Sequence, residues 1–90
     1  MAMVLKHLQL RGRVQGVGLR YSISAQAAKW AINGWVKNNP DGTVEAVLEG
    51  PDDVVFQMIE WIRKGPGTAE IDDISISEGS GHHKQFEIRY

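Results

Sequence analysis

Between Val4 and Arg11 the chain alternates with a period of two. Val4, Leu8 and Leu10 fall on one side and His7, Gln9 and Arg11 on the other, with Lys6 an exception on the apolar side. Successive side chains of a strand point to opposite faces, so this stretch predicts a half-buried strand. From Arg20 to Ile32 the period changes. Ile23, Ala27, Trp30 and Ala31 recur at helical spacing while Ser24, Gln26 and Lys29 fall elsewhere, and the alanines suit a helix packed closely on a sheet. Asn33-Gly34 reads as the helix exit, because both residues tolerate left-handed backbone. Trp35 to Asn38 predicts a second strand, Asn39-Pro40-Asp41-Gly42 a tight turn, and Thr43 to Glu49 a third strand with Val44, Ala46 and Leu48 on one face. Gly50-Pro51-Asp52-Asp53 then has the chemistry of a helix start. Val55, Met58, Ile59 and Ile62 follow at i, i+3, i+4 and i+7, and Gly65-Pro66 is the stop, so a second helix covers most of 52 to 64. Ile74 and Ile76 mark a fourth strand. Ile71 is out of phase with them, which predicts a bulge or a turn, and Phe86, Ile88 and Tyr90 alternate in a short terminal strand.

The order strand, helix, strand, strand, helix, strand, with a short strand appended, predicts an α+β ferredoxin-like sandwich: an antiparallel βαββαβ sheet with both helices on one face. Ninety residues suit one domain, 1–90, with a single core. If Val36 points into that core, the two-residue period puts Asn38 on the same side, at the sheet end where a loop joining strand and helix also lies.

Ten basic against 11 acidic side chains leave a net charge of −1, so no broad positive field exists for nucleic acid or an anionic membrane, and any anion has to be bound locally. The first strand also carries no exposed aromatic pair for stacking bases. Without cysteine there is no disulfide or thiolate chemistry. Met1 to Lys6 meet a charge before any signal-like apolar core develops, and no run approaches membrane-spanning length; a cytoplasmic protein is expected.

One stretch has the chemistry for local anion binding. Gly12-Arg13-Val14-Gln15-Gly16-Val17-Gly18-Leu19-Arg20 lies between the first strand and the first helix, with three glycines, no acid and an arginine at the helix start. Glycines let the backbone turn tightly and aim N–H groups inward, and the first turn of a helix adds unpaired N–H groups and the positive end of its dipole. Arg20 can hold two phosphate oxygens at once. A dinucleotide-binding fingerprint needs glycine at Tyr21, and a Walker loop needs lysine followed by Ser or Thr in place of Leu19-Arg20, so neither common phosphate motif fits.

Through nearly its whole length the chain resembles the acylphosphatases. The likeness rests on the 12–20 stretch, on Gly34-Trp35-Val36-Lys37-Asn38 with Asp41-Gly42-Thr43-Val44-Glu45, on Gly65-Pro66, and on Phe86-Glu87-Ile88-Arg89-Tyr90. The resemblance implies a ferredoxin-like fold and metal-free hydrolysis of small acyl phosphates to carboxylate and phosphate, with no cofactor. By position it implies Arg20 as the phosphate-binding arginine and Asn38 as the residue that positions the attacking water. The backbone N–H groups of Gln15, Gly16, Val17, Gly18 and Leu19 would then cradle the phosphoryl group. One departure stands out: that family usually carries phenylalanine where this chain has Leu19.

Plainer readings compete. Alone, the loop is a turn, Arg20 a surface ion pair and Asn38 a strand-end hydrogen bond; their joint occurrence in two signatures favours the site. His7, His82 and His83 lack a third ligand at metal-binding spacing and read as solvated loop and strand positions. Asp52-Asp53 and Asp72-Asp73 read as helix-start and turn residues, and Trp30, Trp35 and Trp61 as packing. The expected partner is a small acyl phosphate, with a monomer and neither nucleic acid nor membrane. The alternative is a non-catalytic module that binds an anion or a protein on the same fold.

Overall fold

The computed structural model describes residues 2–90; Met1, at the head of the N-terminal segment read above, lies outside them. Among the described residues the elements are β1 (Met3–Arg13), α1 (Leu19–Lys29), β2 (Asn33–Asn38), β3 (Val44–Pro51), α2 (Asp52–Arg63), β4 (Glu70–Glu78) and β5 (Phe86–Arg89). They form one sheet in the order β4-β1-β3-β2-β5. The first four strands pair antiparallel in the ferredoxin-like order, while β5 joins β2 in parallel, so the full sheet is mixed.

The two-residue period selects the core face. Leu8 and Val36 both pair with Ala46, and Leu10 with Val44, so these inward residues stand side by side. Onto them pack Leu19, Ile23 and Ala27 of α1 and Val55, Met58, Ile59 and Ile62 of α2, all buried. Burying each of the larger side chains is worth roughly 1.5–3 kcal/mol. The α2 stripe is the one the periodicity predicts, and Asp52 and Asp53 occupy its first turn, where the helix dipole favours negative charge.

The end of α1 differs from expectation. Ala31, not Asn33 or Gly34, takes the left-handed conformation, with φ 54°. The amides of Ala31 and Ile32 donate back to the carbonyls of Ala28 and Ala27, closing the helix with the paired bonds of a Schellman motif. Ala31 is therefore exposed, and Leu19 takes its place in the apolar stripe. Gly34 belongs to β2 and serves a different need: with φ 136°, a Cβ there would lie 1.9 Å from the Val47 carbonyl oxygen of β3. The bulge signalled by Ile71 is present, since pairing shifts between Arg11 opposite Asp73 and Gly12 opposite Ile71.

On the other sheet face, Trp35 is not in the helix–sheet core. Its ring lies 4.7 Å from the Arg89 guanidinium carbon and 5.6 Å from Lys37 Nζ, with His7 edge-on at 6.3 Å. Adjacent residues of a strand cannot share a face, and Val36 has the inner one.

Residues 79–85 connect the two edges by crossing this outer face. The backbone N–H of Gly79 donates to the Leu5 carbonyl, the backbone N–H and ring of His83 meet Glu49, and the Asn33 side-chain amide donates to the His83 carbonyl. Leu5, Glu49 and Asn33 form one rung of the sheet. His83 is thus a half-buried anchor, not a solvated loop residue, and His7 pairs with Glu45. Burial pushes the Glu49 carboxyl up, but hydrogen bonds from the side chain and backbone of His83 and from His82 outweigh it and hold the group below its ordinary value.

Replacement of Gly34 by alanine is expected to destabilise the protein by more than about 2 kcal/mol, because backbone strain adds to a clash that β3 cannot relieve. Gly67→Ala, with φ 65° and no atom within 4 Å of the new carbon, should cost only the left-handed strain of about 1–2 kcal/mol. Urea unfolding of both variants checks the order; equal losses would contradict it.

Candidate active site

β1 leaves the sheet at Arg13, held close to β4 by Gly12, which admits no side chain: its φ is 131° and a Cβ there would lie 2.2 Å from the Glu70 carbonyl oxygen. The chain must then turn back to start α1. Val14 and Leu19, 2% and 1% exposed, bury in the core at the two ends of the turn. Between them Gly16 and Gly18 adopt left-handed backbone, with φ 74° and 73°. Such alternation makes a concave run of N–H groups that favours anions. A Cβ on Gly16 or Gly18 would meet no protein atom within 4 Å. Gly18 is the N-cap of α1, and the first turn carries no acidic residue, so the positive end of the helix is left uncompensated.

These features surround a cavity of about 130 Å3 lined by Val14, Gly16, Gly18, Leu19, Arg20, Tyr21 and Asn38. Asn38 reaches it because β2 places it two residues beyond the inward Val36, opposite Val44. Arg20 reaches it from the first turn of α1. The parallel pairing of β5 with β2 sends the end of β5 to the same end of the sheet, where the Arg89 carbonyl accepts a hydrogen bond from Arg20 Nη1 at 3.2 Å. The Tyr90 ring lies 4.8 Å from the Arg20 guanidinium carbon. Among the described residues no carboxylate comes within ion-pair distance of Arg20, so its charge is not neutralised by the fold.

The β2–β3 turn is fixed to the loop from the side. The Gln15 side-chain amide donates to the carbonyls of Asn39 and Thr43 at 2.8 and 2.9 Å. Thr43, buried at 6% exposure, accepts from Asn39 Nδ2 and donates its hydroxyl and backbone N–H to Asp41. Those two donations hold the exposed Asp41 carboxyl below its ordinary value.

Of the residues singled out in the sequence, Gly16, Gly18, Leu19, Arg20 and Asn38 line one cavity. Gln15 and Val17 do not. Gln15 turns its side chain to the hairpin, and Val17 packs partly against the core. Leu19 lines the cavity while its side chain is buried in the core, so this position is one of packing. Tyr21 and Tyr90 were not anticipated at the site. Tyr21 directly follows Arg20 and falls off the apolar stripe, which is a usable signal; Tyr90 depends on the direction of β5, which the sequence does not carry. A broader depression of about 560 Å3 between His82 and Arg89 contains none of the predicted residues.

Comparison with known proteins identifies the family of the chain. The acylphosphatase family model matches residues 6–88. The acylphosphatase of Pyrobaculum arsenaticum is 46% identical, with 98% of this chain and 96% of that protein aligned, and that of Thiobacillus denitrificans is 43% identical over 92% and 93%. The acylphosphatase structure from Bacillus subtilis superposes with a TM-score of 0.91 at 36% identity, covering 99% of this chain and all of that one. A phosphate- and nucleotide-bound structure of full-length HypF gives the same TM-score at 28% identity, with 99% of this chain spanning 12% of that much longer one. The chain belongs to the acylphosphatase family, and it is a hydrolase.

The Asp41 hydrogen bonds give the hairpin a pH dependence. A carboxyl held low in the folded state contributes stability that is present above its ordinary value of 3.8 and lost as pH falls through the lowered one. Asp41→Asn should therefore melt below the parent near neutral pH, with the gap closing as the solution is acidified below 3.8. Melting curves across that range check this; a gap independent of pH would contradict it.

Proposed function

We propose that the protein hydrolyses small acyl phosphates to carboxylate and phosphate at the cavity beside the glycine loop, without a metal or other cofactor. The observation that carries this reading is that one cavity joins Gly16, Gly18 and Arg20 with Asn38, which lies 18 residues further along the chain.

The phosphoryl oxygens sit among the backbone N–H groups of the 15–19 segment, chiefly those from Gly16 onward, and against the Arg20 guanidinium. Asn38 holds a water through its side-chain amide, in line with the bond between phosphorus and the acyl oxygen. The water oxygen attacks phosphorus, that P–O bond breaks, and its electron pair leaves with the carboxylate. The water's proton passes to a phosphoryl oxygen. A carboxylate is a weak base, so its departure needs no proton from the enzyme, and the site works without a general acid. Phosphoryl transfer spreads charge over the phosphoryl oxygens, so positioning and electrostatic stabilisation supply the catalysis. Fixed N–H dipoles and an unpaired arginine provide the second.

The same reading takes residues 1–90 as one domain working as a monomer in the cytoplasm, with neither nucleic acid nor membrane as partner. The net charge of −1 supports the exclusion of nucleic acid. No helix among the described residues is long and apolar enough to cross a membrane.

Benzoyl phosphate loss by the purified protein, followed with and without chelator, tests the reading. Equal turnover in both is expected, and absence of turnover would overturn the activity. Arg20→Ala and Asn38→Ala should each lower kcat by about 10²–10³-fold, the typical effect of removing one preorganised donor, with unchanged far-UV circular dichroism. Parent-like rates in either variant would refute that residue's role.

A further inference from the structure

The cavity of about 130 Å3 is well below the roughly 300 Å3 at which sites begin to enclose a whole drug-sized ligand. It takes a phosphoryl group and leaves the acyl half of the substrate outside, against the rim. What forms that rim is limited. Val14 and Leu19 are buried in the core, the two glycines have no side chain, and Arg20 and Asn38 are the side chains assigned above to the phosphoryl group and the attacking water. Tyr21 is the remaining lining side chain, and it is 66% exposed.

Tyr21 does not stand alone. Tyr90, 90% exposed, lays its ring 4.8 Å from the Arg20 guanidinium carbon. The Tyr90 phenol is raised above its ordinary value, first by the neighbouring Tyr21 phenol and against the opposing pull of Arg20. The large apolar side chains left exposed among the described residues are Met3, Tyr21, Phe56, Ile76 and Tyr90. The two tyrosines are thus gathered at one place, the rim of the phosphoryl cavity. Tyrosine offers a large rigid surface at low entropic cost, which suits a platform for a flat or apolar group.

Resting on the hydrolase reading above, we infer that Tyr21, backed by Tyr90, is the specificity-determining residue for the acyl half. It selects acyl phosphates with an aromatic or extended apolar acyl group over acetyl-sized ones. The acyl group leaves the cavity past Arg20 and lies on the Tyr21 ring. An acetyl group is too short to cover the ring and gains little from it.

The test compares kcat/KM for benzoyl phosphate and acetyl phosphate in the parent, Tyr21→Ala and Tyr21→Phe. The benzoyl-to-acetyl ratio should fall about tenfold in Tyr21→Ala, the scale of one lost aromatic contact, and be retained in Tyr21→Phe. A merely structural role would lower both substrates together and leave the ratio unmoved. If the parent hydrolyses both substrates and the ratio is the same in Tyr21→Ala, this inference is overturned while the hydrolase reading stands. If the parent hydrolyses neither, the hydrolase reading fails and takes this inference with it.

Discussion

Two hydrogen bonds from the Gln15 side chain, to the carbonyls of Asn39 and Thr43, join the glycine loop to the hairpin that carries Asn38. The rest of the site depends on that join. Without it the loop and the hairpin are separate connections at one end of a sheet, free to drift relative to one another. The sheet alone brings them near: β3 pairs with both β1 and β2, so the strand leading into the loop and the strand ending at Asn38 finish at the same end. Proximity to within a cavity's width follows from the topology, whereas the fixed relation between the glycine loop and the hairpin that carries Asn38 follows from Gln15. Catalysis by positioning is sensitive to displacements of an ångström, so such a tie matters more here than in a site driven by a strong acid or base.

The second constraint is electrostatic. A chain with net charge −1 has no long-range field for an anion. The attraction has to be built within a few ångströms, from left-handed glycines, a helix start with no side-chain cap and no acidic residue, and an arginine that no carboxylate among the described residues neutralises. The fold holds that arginine through neutral contacts, a carbonyl at Arg89 and the face of the Tyr90 ring. Orientation is thereby obtained without spending the charge. The strap 79–85 serves the same end indirectly, since its anchoring through Glu49 and His83 fixes where β5 begins.

What could be seen in the sequence follows from which signals are local. The α2 stripe was legible because Val55, Met58, Ile59 and Ile62 recur at i, i+3, i+4 and i+7, the spacing of one helix face. Asn38 was placed correctly by the two-residue period counted from Val36, and the β4 bulge by the phase of Ile71. Alanine is ambiguous between buried and exposed positions, so Ala31 was assigned to the core when it is the left-handed exit of α1. Trp35 was read as a packing residue, but its neighbour Val36 occupies the inner face, so its ring lies on the outer one. The partners of Gln15 lie 24 and 28 residues away, across a turn whose geometry sequence does not give. The parallel direction of β5, and with it the place of Tyr90, depends on a crossing segment held by Leu5, Glu49 and Asn33, and no local pattern encodes that path.

The central claim is that the glycine loop and Arg20 hold a phosphoryl group facing Asn38. The most direct measurement is titration of the isotopically labelled protein with inorganic phosphate, followed by amide chemical shifts. The account predicts saturable shifts confined to the backbone N–H groups from Gly16 to Tyr21 and the side-chain amide of Asn38, absent in Arg20→Ala. Shifts centred instead on the strap between Gly79 and Gln85, or a response unchanged by Arg20→Ala, would contradict it.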